Sequence, residues 1–303
     1  MGTMPSGEAS GPMRRNFPPG SPDLMALRAR AHAIRRTCIE LATGKGQGYL
    51  GQALGFADVM AALHFHELRW DPQDLQWAGR DRFVLSTGHY AILLWATLAE
   101  AGAIPREELA TFAMDDSRLD MSTLDSSPGV EMTGGSLGHG LPVAVGLALG
   151  LRLEGSDARV VCELSDGECQ EGSVWEAALA AATFGLDRLV AIVDANGIQA
   201  DGKVTVALEP LAEKWRAFGF DTREVDGNDM AAVAAALEGA RAADGRPKAI
   251  VCRTLPGKGV PRLERREKAH FIRVEPDEWG AILAELEGAA RSNGLLPGLR
   301  RAE

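Results

Sequence analysis

The stretch VVCELSDGECQEGSVWEAALAAATFGLDRLVAIVDANGIQADG (160–202) decides the fold. It reads as an apolar run (Val160–Leu164), a polar turn, an alanine-rich helical stretch (Ser173–Phe184), a second apolar run (Leu189–Val193) and a second polar turn. Two buried-strand runs separated by a helix make one βαβ unit, and such a unit requires parallel strands. Asp166 lies just past the first run and Asn196 just past the second, 30 residues later. A right-handed crossover brings both to one rim of the sheet, beyond the carboxyl ends of the strands, where open parallel sheets bind ligands.

The same alternation continues on either side. Helical patterns run over Asp23–Ala42, Phe56–Leu68, Tyr90–Ala101, Leu137–Leu153, Leu211–Phe218 and Met230–Ala242, and strand patterns over Arg82–Leu85, Thr222–Val225 and Ala249–Cys252. Pro105 suits the first turn of a further helix. Residues Ala113–Gly135 have little periodicity, and so long a loop is either functional or disordered. The expected class is α/β, a doubly wound, mostly parallel sheet with helices on both faces. Residues 1–22 are rich in Gly, Pro and Ser without an apolar core and read as a disordered arm. Residues 23–291 read as one domain and 292–303 as a loose tail.

Composition excludes several classes. The 303 residues are 46% hydrophobic, enough to bury a core without disulfide staples. Lys and Arg total 32 against 42 Asp and Glu, a net charge of -10, which argues against a nucleic-acid-binding face. The longest apolar-looking run, Leu137–Leu153, contains His139 and Arg152 and many glycines, so no membrane span is expected. Four cysteines without zinc-type spacing fit a reducing cytoplasm.

At the rim, an Asp carboxylate, an Asn amide oxygen and a backbone carbonyl make a hard-oxygen set suited to Mg2+ or Ca2+, with phosphate oxygens completing the shell. Gly167 allows backbone N–H groups to approach a phosphate, and the helix opening near Gly172 adds a favourable dipole. Read alone, Asp166-Gly167 is equally an ordinary turn pair.

An Asp-Gly pair closed by Asn at this distance resembles the thiamine-diphosphate motif. Around it, DRFVLSTGH, PGVEMTGGSLGHGLPVAVGLALG, EGSVWEAALAAA, LVAIVDANGIQADG, LEPLAEKWRAFGF, EVDGND and GKGV follow in order, and from about Leu27 to about Trp279 the chain resembles the N-terminal part of transketolase. The resemblance implies the thiamine-diphosphate-binding fold and specific roles. Asp166, the Asn196 side chain and the Ile198 carbonyl would bind the metal. His89, Gly138, Asp166, Gly167, Glu168, Asn196 and His270 would contact the cofactor, and His89, His270 and Glu171 would serve catalysis, Glu171 from a subunit interface.

The chain departs from the family at three places. Ser165 stands where the motif has Gly. Tyr49, in Gly48-Tyr49-Leu50-Gly51, replaces the His of Gly-His-Pro-Gly, and Ser122 or a neighbour replaces a second sugar-facing His. Hydroxyls hydrogen-bond but do not titrate near neutrality, so the usual sugar-phosphate donors are expected to be poor. A full transketolase is about twice as long and takes the acid that activates the cofactor from its second domain. The implied protein is therefore the N-terminal subunit of a split enzyme, inactive alone, paired with a C-terminal subunit in a heterotetramer of two plus two. The glycines of Leu137–Leu153 (Gly138, Gly140, Gly146 and Gly150) and the alanines of Ser173–Phe184 are expected at subunit contacts. The implied reaction moves a two-carbon ketol unit from a ketose to an aldehyde. Two alternatives are a 2-oxo acid donor with decarboxylation and acyl transfer, and a non-catalytic, partner-binding paralogue.

Overall fold

A computed structural model describes residues 19–295 apart from 201 and 205. Most of the expected arm (1–18) and of the tail (296–303) lies outside the described residues. The central sheet comprises β1 (Arg82–Leu85), β2 (Val160–Ser165), β3 (Leu189–Ala195), β4 (Asp221–Asp226) and β5 (Lys248–Arg253). Its order is β1-β2-β3-β5-β4, and every neighbouring pair is parallel. The helices of seven residues or more are α1 (Leu24–Lys45), α2 (Leu50–Ala62), α3 (Ala91–Glu100), α4 (Gly140–Leu153), α5 (Gly172–Thr183), α6 (Leu211–Ala217), α7 (Met230–Gly239) and α8 (Glu278–Ser292), among the described residues.

Alternation along the strands builds two cores. Val161, Val190, Ile192 and Ile250 pack with α1, α2, α3 and α7, whereas Val160, Cys162, Leu164, Val193 and Val251 pack with α4, α5 and α6. Both faces are therefore covered, as a doubly wound sheet requires. Each fully buried aliphatic side chain contributes about 1.5–3 kcal/mol, so the layers hold with all four cysteines buried as free thiols. α8 lays Trp279, Ile282 and Leu286 into the first core; no sequence pattern had marked it.

Several boundaries differ from the sequence reading, each for a local reason. α2 starts at Leu50 rather than Phe56, and every one of its residues is buried, so no amphipathic period announces it. After Ala62 it widens into one π turn, Leu63–Glu67. α4 starts at Gly140 rather than Leu137 because Gly138 adopts φ 81°, a left-handed conformation that a helix cannot contain. Pro105 opens only a 3-10 turn, Arg106–Thr111.

The β2–β3 register sets the geometry of the rim. Ser165 pairs with Asp194, and the Asp166 N–H donates to the Asp194 carbonyl at 3.0 Å. The turn after β2 thus lies directly beside the end of β3. Ser165, the departure from the Gly-Asp-Gly pattern, is the last residue of β2, and its backbone φ is not positive.

Candidate active site

Asp166 is 6% exposed, yet among the described residues its carboxylate meets only backbone donors: Gly167 N–H at 2.8 Å and Gly197 N–H at 2.7 Å. Burial pushes its pKa up to about 6. The Gly197 contact joins the two polar turns, so the Asp166 carboxylate is bonded to the residue that follows Asn196, across the βαβ unit. The Asn196 Oδ1 accepts the Ile198 N–H at 3.0 Å, which draws the third proposed ligand residue into the same loop. Gly167 is open towards this loop: a Cβ there would come no nearer than 3.7 Å to Gln199.

Beneath Asn196 lies a network that the sequence reading did not include. Asp194, fully buried at the end of β3, accepts from the Tyr90 hydroxyl at 2.7 Å, from the Thr254 hydroxyl and from the Asn196 amide at 2.8 Å. The same amide nitrogen also donates to the Tyr90 hydroxyl at 3.0 Å. Burial pushes Asp194 up to about 7 and the Tyr90 phenol well above its usual range. The available signal was positional, since Asp194 and Asn196 alternate onto one face of the strand end.

His89, Leu137, Gly167, Glu171, Ile198 and His270 line a cleft of about 250 Å³ at this rim. The His89 and His270 rings lie 5.2 Å apart between centroids, and Tyr49 packs on both, at 4.9 and 5.4 Å. Burial, then the neighbouring His270, lowers His89 to about 3, and burial lowers His270. Both are therefore neutral imidazoles near neutral pH, each with one donor and one acceptor nitrogen. Tyr49, which stands where the family pattern has His, joins this aromatic wall.

Glu168 has a different environment from the one the sequence implied. It is fully buried, and its carboxylate accepts from the Ser86 hydroxyl, from Gly138 N–H at 2.7 Å and from Ser165 N–H at 3.4 Å. It ties the Gly138 turn to the end of β2, shaping the cleft rather than lining it. Gly138 sits tightly behind Glu171: a Cβ would lie 2.7 Å from the Glu171 Cβ and 2.5 Å from Ser173 Oγ. Glu171 is exposed at the start of α5. Among the described residues the Ser122 hydroxyl is buried without a hydrogen-bond partner, close to where a Gly88 Cβ would be. The expected small-residue face of α4 divides in two. Gly138 and Gly140 press against this chain's own Glu171 and Ser86, whereas Gly146 and Gly150 have open space beside them.

The family model of the transketolase thiamine diphosphate binding domain matches residues 27–286. The chain belongs to this family. A transketolase family protein of Sinorhizobium fredii is 51% identical over 263 residues, covering 86% of this chain and 94% of that one. The 6-deoxy-6-sulfo-D-fructose transketolase subunit of a Clostridium species is 38% identical, and one subunit of the apulose-4-phosphate transketolase of Actinobacillus succinogenes 39%. Each of these two matches covers 86% of this chain and 96% of the relative. Among solved structures, a transketolase variant from Pichia stipitis superposes with a TM-score of 0.78 at 28% identity, over 89% of this chain. Transketolase from Campylobacter jejuni gives 0.78 at 27% over 91%. This transketolase-family chain spans 44% and 47% of those two solved chains, but nearly the whole of relatives named as subunits.

Proposed function

We propose that this chain is the diphosphate-binding subunit of a split thiamine-diphosphate enzyme that moves a two-carbon ketol unit from a ketose donor to an aldehyde. The observation that carries the reading is the bond from Gly197 N–H to Asp166, which seats that carboxylate against the turn of Asn196 and Ile198, beside a cleft walled by His89 and His270. The donor set fits a divalent cation. A nearly buried carboxylate to which no cationic side chain among the described residues is bonded favours a positive charge, and all the donors are oxygens, as Mg2+ or Ca2+ prefers. Among the described residues no group of three or more His, Cys, Asp or Glu could hold a metal, so a cation here would rely on the one carboxylate of Asp166 with amide, backbone and phosphate oxygens.

Asp166, the Asn196 amide oxygen and the Ile198 carbonyl hold the cation in this reading. Bound thiamine diphosphate supplies the nucleophilic carbon that makes and breaks the C–C bond. His89 and His270, neutral through burial, donate to anionic oxygens or exchange a proton with a substrate hydroxyl, and the Tyr49 ring holds both in place. Glu168 fixes the Gly138 turn, and with it the wall that carries Leu137 and Glu171. The relatives named for sulfo- and phospho-sugars point to a ketose donor carrying an anionic group. The acid that activates the cofactor comes from a partner chain, in an assembly of two plus two. Four buried free thiols agree with a cytoplasmic enzyme, and among the described residues no helix is long and apolar enough to cross a membrane.

Calorimetric titration of thiamine diphosphate in Mg2+ into the chain assembled with its partner tests the site. Asp166→Ala should weaken binding by about 100-fold, with the melting temperature of the cofactor-free protein little changed. Unchanged affinity would refute the assignment.

A further inference from the structure

We propose that Asp194, braced by Tyr90 and Thr254, is a positioning residue that locks the Asn196 amide with its oxygen towards the cation. This rests on the reading of Asp166 and Asn196 as cation ligands. An amide binds a metal through oxygen only, yet its oxygen and nitrogen are nearly equal in size, so an unrestrained Asn presents the wrong end about as readily as the right one. Here both N–H bonds of Asn196 are committed, one to Asp194 Oδ2 at 2.8 Å and one to the Tyr90 hydroxyl at 3.0 Å. The Tyr90 proton is spent on Asp194 Oδ2, so a lone pair of the phenol faces the amide nitrogen. A flipped amide would set its oxygen against a carboxylate oxygen at 2.8 Å. Its NH2 would then face the Ile198 N–H, donor against donor. Both contacts oppose the flip.

The lock cannot swing freely. Asp194 is 0% exposed and Tyr90 1%, and the other oxygen of Asp194 is held by the Thr254 hydroxyl. Three strand ends contribute: Tyr90 follows β1, Asp194 lies at the end of β3 with Asn196 just past it, and Thr254 follows β5. Tyr90 also follows His89 directly in the chain, so one phenol couples the histidine wall of the cleft to the orientation of the cation ligand. Carboxylate and carbonyl partners of this kind commonly fix the orientation of metal ligands, and their loss typically costs 10–100-fold in metal affinity.

The test measures the Mg2+ concentration giving half-maximal thiamine diphosphate binding to the chain assembled with its partner. Tyr90→Phe keeps the buried ring and removes only the bridging oxygen. We expect it to raise the half-maximal Mg2+ about tenfold, with cofactor affinity at saturating Mg2+ restored to within about twofold of the wild type. Thr254→Val, which frees Asp194 on its far side, should shift the requirement in the same direction by less. A Mg2+ requirement unchanged in both variants overturns the proposal, as does a loss seen only as a lower melting temperature of the metal-free protein. Asp166→Ala, run in parallel, separates the two readings. If its binding remains Mg2+-dependent at wild-type concentration, the ligand assignment itself has failed. If its dependence is lost while Tyr90→Phe behaves as wild type, only the lock has failed.

Discussion

Gly138→Ala probes the tight turn on which the cleft wall rests. Gly138 has φ 81°, where an L side chain costs about 1–2 kcal/mol. The new methyl would lie 2.5 Å from Ser173 Oγ, 2.7 Å from Glu171 Cβ and 3.1 Å from Glu171 Cγ. Relieving such overlaps typically costs a further 1–3 kcal/mol or so. The stiffer unfolded chain returns about 0.4–1 kcal/mol, which leaves a net loss of about 1–5 kcal/mol. At about 2 °C per kcal/mol for a chain of this size, the melting temperature should fall by about 2–10 °C. Ser173 also donates to the Gly138 carbonyl at 2.8 Å, so the displaced group cannot move without breaking a bond the turn already uses. Gly146→Ala is the matched control. It lies inside α4 with no heavy atom of the described residues, beyond its own helix backbone, within 4 Å of its added carbon, and alanine there should stabilise the isolated chain by about 0.5–1 kcal/mol. Differential scanning calorimetry on both variants reads the contrast. Equal melting temperatures for Gly138→Ala and wild type would refute the account of the turn.

The remaining expectations concern acid and assembly. His89 is lowered to about 3 by burial and by His270, from about 6.5 when unfolded, so between those values the unfolded chain binds more protons. The stability this neutral imidazole allows is full above pH 6.5 and declines as pH falls towards 3; urea unfolding at pH 7.5 and 5 should show His89→Asn losing less than wild type over that interval, and equal losses would remove His89 as the cause. The purified chain should be catalytically silent, and mixing it with its partner chain, Mg2+ and thiamine diphosphate should restore activity with a two-plus-two mass by light scattering. Full activity from this chain alone would sink the split-enzyme reading.

What could be read from the sequence depended on whether a residue announces its role by type and spacing. The placement of Asp166 and Asn196 at one rim was legible, because a strand–helix–strand segment has one favoured hand and places its two strand ends side by side. The sheet was legible for the same reason, since runs such as Leu189–Val193 are buried on both faces. α2 was misplaced by its own burial, because a helix with no wet face has no period to detect. Glu168 looked like a cofactor contact from its place in the motif. Its direction depends on Ser86 and Gly138, which lie 82 and 30 residues away.

The residues beneath the site were hidden by a stronger limitation. Tyr90 and Thr254 reach the end of β3 only because β5 ends level with it and the turn after β1 carries Tyr90 up to it, and no single βαβ unit contains that fact. Asp194 was nevertheless within reach of a local rule. Residues two apart at a strand end share a face, so the residue two before a candidate ligand is the natural place for the group that orients it. An acidic side chain at that position, inside an otherwise apolar run, carries a desolvation cost that packing alone does not repay. Here the cost is offset by three donors, one of them the candidate ligand itself. A charge buried at the end of a strand beside a rim site is therefore better read as part of that site than as a flaw in the core.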